Sequence, residues 1–276
     1  MGAWPMNPPP VALTIAGSDP GGGAGIQADL KTFSALGAYG TSVITALTAQ
    51  NTCGVTGVLP IPVDFVRAQW RTLVADIRLD AIKIGMLASA ELAQAVGDFL
   101  DERRCAHVVL DPVMVATSGD RLLDPAAIGA LRRLLPRASL VTPNLPEAAA
   151  LLDASPARSV AEMAAQAQAL VAAGAQRALV KGGHLADAAE STDVLAGPEG
   201  VRYFRSLRVA TTNTHGTGCT LSSALAALRP RCADWPATIA AAKHWLDGAL
   251  RAADGLAVGH GHGPVHHFHE CKARWT

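Results

Sequence analysis

"HVVLDP", residues 107–112, is an apolar run that stops on an aspartate and a proline. Consecutive aliphatic residues without polar alternation describe a strand buried on both faces, and the proline ends it. Two later stretches have the same form, "SLVTPN" (139–144) and "RALVKGG" (177–183). Between them lie "DPAAIGALRRLL" (124–135) and "SVAEMAAQAQALVAAG" (159–174), both with helical spacing of apolar residues. Upstream, "VALTIAG" reads as a strand ending at Gly17, and "IQADLKTFSALG" as a helix burying Ile26, Leu30, Phe33 and Leu36. "TSVITAL" is a strand, "NTCGVTGVLPIP" a turn-rich segment, and a helix then carries Phe65, Val66, Leu73, Val74 and Ile77. "AIKIGML" is a strand, and "SAELAQAVGDFLDER" a helix opened by Ser89. "TDVLAG" and "VRYFRS" form a hairpin across Pro198 and Gly200; helices follow from 216 and over "ATIAAAKHWLDGALRAAD".

Strand and helix alternate almost throughout, which predicts an α/β fold with a parallel sheet covered on both faces. No composition shift or fixed repeat divides the chain, so residues 11–276 are expected to form one domain. Residues 1–10, "MGAWPMNPPP", read as a disordered Pro-rich lead-in. They lack the cationic start and apolar run of a secretory signal, and Met6 stands where a myristoylation motif needs Ser or Thr.

Of 276 residues, 50% are hydrophobic and 17% charged, enough for a large core. Lys plus Arg and Asp plus Glu are each 23, so no basic excess favours nucleic acid or a membrane surface. No apolar stretch free of charge reaches membrane-spanning length. The five cysteines, odd in number and without a C-x-x-C pair, suit reduced thiols. A cytoplasmic protein is expected.

Ligands of such sheets bind outside the carboxyl ends of the strands. The first of these loops is "GSDPGGGAGIQADLK" (17–31). It lacks the Lys-Ser/Thr of a Walker loop. Gly23, Gly25 and Ala28 match the dinucleotide pattern, yet the second strand ends in "TAQN" and offers no ribose-binding acid. The loop is read either as a tight turn or as a place where a small planar ligand meets backbone. Gln50 carries a donor and an acceptor side by side, which matches an aminopyrimidine edge; the alternative is a satisfied loop amide. Asp111 and Glu147 at strand ends suit Mg²⁺ with nucleotide phosphates, or serve as a cap and a solvated charge. Lys181 beside two glycines suits phosphate, or is merely exposed. Met86 and Val113 are core or pocket wall.

The strongest signal is "TNTHGTGCTLSSALAA" (211–226). Gly216, Thr217 and Gly218 can aim successive N–H groups at one point, with the positive end of a helix dipole behind them, as an oxyanion or phosphate site requires. Cys219 at the helix start is expected to have a depressed thiol pKa and to act as a base. His215 is close in sequence, but the strand-elbow order of a hydrolase is absent. Tight packing of a small residue is the bland alternative. The tail "GHGHGPVHHFHE" (259–270) lacks metal-site spacing and reads as a structural segment. Anion hole, two acids, lysine, thiol and amide together are what phosphoryl transfer needs.

"ALTIAGSDPGGGAGIQADLKTFSALGAYGTSVITALTAQNTCGV", "KIGML", "LDPVM", "TSGDRLL", "TPNLPEAAALL", "KGGH" and "NTHGTGCTLSSALAALRP" closely resemble the hydroxymethylpyrimidine/phosphomethylpyrimidine kinases of thiamine biosynthesis. The resemblance runs from about Val11 into "GPVHHFHE" and implies a ribokinase-like α/β/α sandwich with a central, mostly parallel sheet. It implies two ATP-dependent phosphorylations of 4-amino-5-hydroxymethyl-2-methylpyrimidine, with ATP and Mg²⁺ as cofactors and the small pyrimidine as partner; a homodimer is expected. By the same resemblance Gln50 reads the pyrimidine, and Gly17, Ala24, Asp29, Met86 and Val113 surround it. Gly216, Thr217, Gly218 and Cys219 match the family's anion hole and cysteine, Asp111, Asn144 and Glu147 its Mg²⁺–phosphate region, and Lys181 a nucleotide contact. Gly21 stands where serine is frequent in the family, and Thr117 where lysine is. The rivals are a pyridoxal kinase of the same superfamily, a pyrimidine-binding protein without catalysis, and a nicotinamide oxidoreductase.

Overall fold

A computed structural model describes residues 8–115, 127–183, 185 and 189–271. Most of the expected lead-in, and Thr117, lie outside the described residues. Parallel strands β1 (Val11–Ala16), β2 (Tyr39–Ile44), β5 (Ala81–Ile84), β6 (Val108–Leu110), β7 (Leu140–Val141) and β8 (Ala178–Val180) form most of one sheet. The hairpin β9 (Glu190–Gly197) and β10 (Gly200–Leu207) closes one edge antiparallel, giving the order β10-β9-β8-β7-β6-β5-β1-β2. The expected strand over 41–47 breaks at Thr45, whose N–H bonds the carbonyl of Ala16. Beyond it the chain leaves the sheet as β3 (Ala46–Asn51), paired only with β4 (Gly54–Pro60). The segment expected to be turn-rich is therefore largely a strand. Its glycines hid it, since no apolar alternation survives them.

Side-chain alternation along the strands separates two cores. On one face Leu13, Ile15, Ile82, Ile84 and Leu110 pack on helices α2 (Val63–Asp76), α3 (Ala90–Glu102), α4 (Ile128–Arg132), α5 (Leu145–Leu152) and α6 (Val160–Ala172). Trp70 stacks on Phe99 there at 5.0 Å. On the other face Ala12, Ala81, Val109, Leu140 and Leu179 meet α1 (Gly25–Ala35), α7 (Thr217–Leu228) and α8 (Trp235–Arg251). The helix expected over 124–135 is shorter than its pattern among the described residues, ending at Arg132 and passing into a 3₁₀ turn at Leu135–Arg137, where Pro136 withholds an N–H.

The second core holds a charge. Lys83, in mid-strand, donates to both oxygens of Asp29 at 3.0 and 2.9 Å, and both side chains are fully buried. Thr14 and Ser223 each donate to the same carboxylate at 2.6 Å. Asp29, expected among the substrate's surroundings, is instead an internal tie between α1, β1, β5 and α7. Its oxygens are consumed because a buried ammonium needs them. Lys83→Met strands that carboxylate and should cost about 3–5 kcal/mol in denaturant unfolding. The double variant with Asp29→Asn should recover most of the loss, and an unchanged midpoint for the single variant would contradict the tie.

Candidate active site

All six parallel strands end at one edge of the sheet, and β10 ends there too, leading through residues 208–216 into α7. Gly216 is the N-cap of α7 with φ of 76°, the left-handed region. A β-carbon there would overlap the carbonyl oxygen of Gly23, so two loops touch backbone to backbone. The cap makes no side-chain bond. The Thr217 N–H bonds the Thr214 carbonyl at 3.2 Å, and Thr220 N–H the Gly216 carbonyl at 2.8 Å. Thr217 therefore does not offer its N–H to a ligand, contrary to the sequence expectation. Among the described residues, the N–H groups of Gly218 and Cys219 have no acceptor, at the positive end of the helix dipole.

Around this turn stand the charged groups. A β-carbon on Gly218 would lie 3.3 Å from Lys181 Nζ and 3.9 Å from Asp111 Oδ2. Lys181 donates to Asp111 Oδ1 at 2.9 Å, and Ser222, one turn into α7, to Asp111 Oδ2 at 3.2 Å. Burial works to raise the Asp111 pKa, but the ammonium groups of Lys181 and Lys83 outweigh it and hold the carboxyl below its usual range. Asn144 caps α5: its side chain accepts from Glu147 N–H at 2.9 Å, while Glu147 Oε2 accepts from Asn144 N–H at 2.8 Å. Burial lifts the Glu147 pKa to about 7, with Lys181 pulling it down and Asp111 adding to the rise. Both acids thus lie with Lys181 beside the turn, and their oxygens are hard ligands of the kind Mg²⁺ takes.

The loop 17–24 is organised by Asp19, which the sequence reading passed over. Its carboxylate accepts from the N–H groups of Gly21 (2.8 Å), Gly23 (3.1 Å) and Ala24 (2.8 Å), and from His215 Nε2 at 2.9 Å. Burial opposes the charge, yet the His215 and backbone bonds hold its pKa below normal. An aspartate ahead of a glycine run was the available signal. Since His215 Nε2 gives its proton to Asp19, it has no lone pair for the Gln50 amide nitrogen 3.4 Å away. That amide N–H group stays available to a ligand. Gly17 and Met86 adjoin, with a β-carbon at 17 lying 3.1 Å from the Met86 sulfur. Ala24 gives its N–H to Asp19, and Val113 folds its own back onto the Asp111 carbonyl at 2.8 Å.

The histidine-rich tail straps this assembly from outside. Gly263 accepts from His215 N–H and donates to Asn213 Oδ1, both at 3.0 Å. His267 meets Thr220 Oγ1 at 3.1 Å, and burial drives its pKa down to about 3. Among the described residues no three metal-binding side chains cluster. Of the tail's histidines His267 is buried and His266 and His269 are half-buried, whereas His260 and His262 are exposed.

The profile of the family described as phosphomethylpyrimidine kinase matches residues 19–266. The hydroxymethylpyrimidine/phosphomethylpyrimidine kinase of Salmonella typhimurium strain LT2 is 62% identical, over 94% of this chain and 97% of its own length. The chain belongs to the phosphomethylpyrimidine kinase family. Among solved structures, an ADP complex of Bacillus subtilis pyridoxal kinase superposes with a TM-score of 0.87 at 35% identity, covering 96% of this chain and 99% of that one. Phosphomethylpyrimidine kinase from Clostridium difficile 630 gives 0.77 at 37% identity, covering 87% and 99%. Members of this family and pyridoxal kinases thus share the ribokinase-like backbone, and side chains must separate them.

Cys219 departs from expectation. Burial lifts its thiol pKa to about 11, with Lys83 and a hydrogen bond from Gly25 pulling it down and Asp29 and Asp111 pushing it up. The helix terminus that suggested a thiolate is outweighed by desolvation and two carboxylates. Cys219 should therefore react with iodoacetamide at pH 8 far more slowly than the exposed Cys53 and Cys271, as read by mass spectrometry of labelled peptides. Faster labelling of Cys219 than of these two would restore the depressed value.

Proposed function

We propose that the protein phosphorylates 4-amino-5-hydroxymethyl-2-methylpyrimidine with ATP, first to the monophosphate and then to the diphosphate. The observation that carries this reading is the pair of unpartnered N–H groups at Gly218 and Cys219. They adjoin Lys181 and Asp111 on one side and, through His215 and Asp19, the Gln50 amide on the other, whose oxygen accepts from Thr48 Oγ1 at 3.2 Å and whose N–H group stays available. Gln50 reads the aminopyrimidine edge, with Gly17, Ala24, Met86 and Val113 around the ring. The turn Gly216–Cys219 stabilises the transferring phosphoryl, whose charge is spread over its equatorial oxygens. Lys181 and the Asn144 amide meet the nucleotide phosphates.

Asp111 and Glu147 would hold Mg²⁺, directly or through its waters, and the ion would neutralise charge on the phosphates. A cation held there would favour the ionised form of Glu147, whose raised pKa reflects burial beside Asp111. Leu47, Val58 and Leu59, exposed on β3–β4, support a homodimer. No helix among the described residues is long and apolar enough to cross a membrane. The five free thiols support a cytoplasmic enzyme, acting as one domain over 11–276.

Cys219 takes the hydroxymethyl proton in the first step. In the second the attacking phosphate oxygen is already anionic and needs no base. With a thiol pKa of about 11, only about one molecule in ten thousand carries the thiolate at pH 7. The base form grows as pH rises towards that pKa.

The test is to follow mono- and diphosphate separately with Mg²⁺, ATP and the pyrimidine. The first-step rate should climb about tenfold per pH unit between 7 and 10, and the second should stay nearly flat. Cys219→Ala should remove the first step selectively. Equal losses in both steps would confine Cys219 to the shape of the turn, and absence of both products from folded wild-type protein would overturn the reading. Gln50→Leu should abolish pyrimidine turnover; unchanged turnover, with pyridoxal phosphorylated as well, would favour the pyridoxal kinase reading.

A further inference from the structure

Another buried ion pair joins α8 to β9. Lys243 on α8 donates to Asp193 Oδ2 at 2.6 Å, and both side chains are more than nine-tenths buried. The other oxygen, Asp193 Oδ1, accepts the backbone N–H of Gly182 at 2.9 Å. Gly182 follows Lys181 directly, and no side chain fits there, because a β-carbon would overlap the Thr192 carbonyl oxygen. The peptide before Lys181 is fixed as well, since its N–H bonds the Pro143 carbonyl at 2.9 Å. Lys181 thus leaves β8 with one flanking peptide tied to the β7–α5 loop and the other to Asp193.

Holding α8 against β9 does not by itself require charge. An apolar pair of similar volume in such a position is often as stabilising, because it avoids the desolvation of two ions. It would not supply an acceptor for the Gly182 N–H, which would then be buried without a partner. The carboxylate supplies that acceptor, and the ammonium keeps its second oxygen satisfied and its rotamer fixed.

We propose that Asp193, oriented by Lys243, is a positioning residue for the nucleotide: it fixes the Gly182 peptide and so the direction in which Lys181 reaches the phosphates. The proposal rests on Lys181 being a nucleotide contact. It assigns to α8 a part in ATP affinity.

The test uses two neutral pairs in the full chain. Asp193→Asn with Lys243→Gln keeps an acceptor for Gly182; Asp193→Leu with Lys243→Met removes it. Calorimetric binding of a non-hydrolysable ATP analogue with Mg²⁺ should stay within about threefold of wild type for the first. It should weaken about tenfold or more for the second, at matched melting temperature. The affinity for the pyrimidine should be unchanged in both. Should the apolar pair fail to fold, Asp193→Ala with Lys243→Gln also lacks the acceptor and carries the same expectation. Equal nucleotide affinity with and without the acceptor would overturn the proposal. Failure of the pyrimidine reading would show instead as no phosphorylated pyrimidine from wild type, a result that leaves these affinities readable.

Discussion

The site depends on one contact, the approach of Gly216 to the Gly23 carbonyl, where any β-carbon would collide. It brings the loop after β1 against the start of α7, two segments almost two hundred positions apart in sequence. Around the contact, Asp19 gathers three loop N–H groups and the His215 ring, and the C-terminal strap presses from the opposite side. The Gln50 amide and the Gly218 and Cys219 N–H groups, to which we assign the ring and the phosphate, are therefore held by one connected unit. An in-line transfer between two ligands needs rigidity more than it needs any single catalytic group.

Charge is distributed in layers beneath this unit. Lys83 and Asp29 are fully buried and neutralise each other; Asp111 is buried as well and pairs with the partly exposed Lys181, with Glu147 beside them. The Cys219 thiol is subject to both groups of charges. The cationic neighbour lowers its pKa, but burial and two carboxylates win. If Cys219 is the base we propose, its scarcity at neutral pH is tolerable where the transition state is loose and proton removal comes late.

Much of this was legible in the sequence because strand-end chemistry is local. Asp111, Asn144, Glu147 and Lys181 each follow an apolar run, and the parallel sheet brings such ends to one edge. The left-handed turn at Gly216 could be read from two glycines around a threonine. What escaped depended on partners remote in the chain. Asp29 looked like a site residue until its pairing with Lys83, 54 positions on, took both oxygens. Lys83 itself was a visible anomaly, a cation inside "AIKIG", but periodicity cannot say what neutralises it. The thiol pKa failed for a related reason: the helix dipole is written in the local sequence, whereas desolvation and the carboxylates come from tertiary packing.

The central claim is that the backbone N–H groups of Gly218 and Cys219 hold the γ-phosphate while Gln50 holds the ring. A crystal structure with Mg²⁺, a non-hydrolysable ATP analogue and the hydroxymethylpyrimidine tests it most directly. The account predicts a γ-phosphate oxygen within hydrogen-bond distance of both N–H groups and the aminopyrimidine edge on the Gln50 amide. Phosphates bound elsewhere, with the turn facing only solvent, would contradict it.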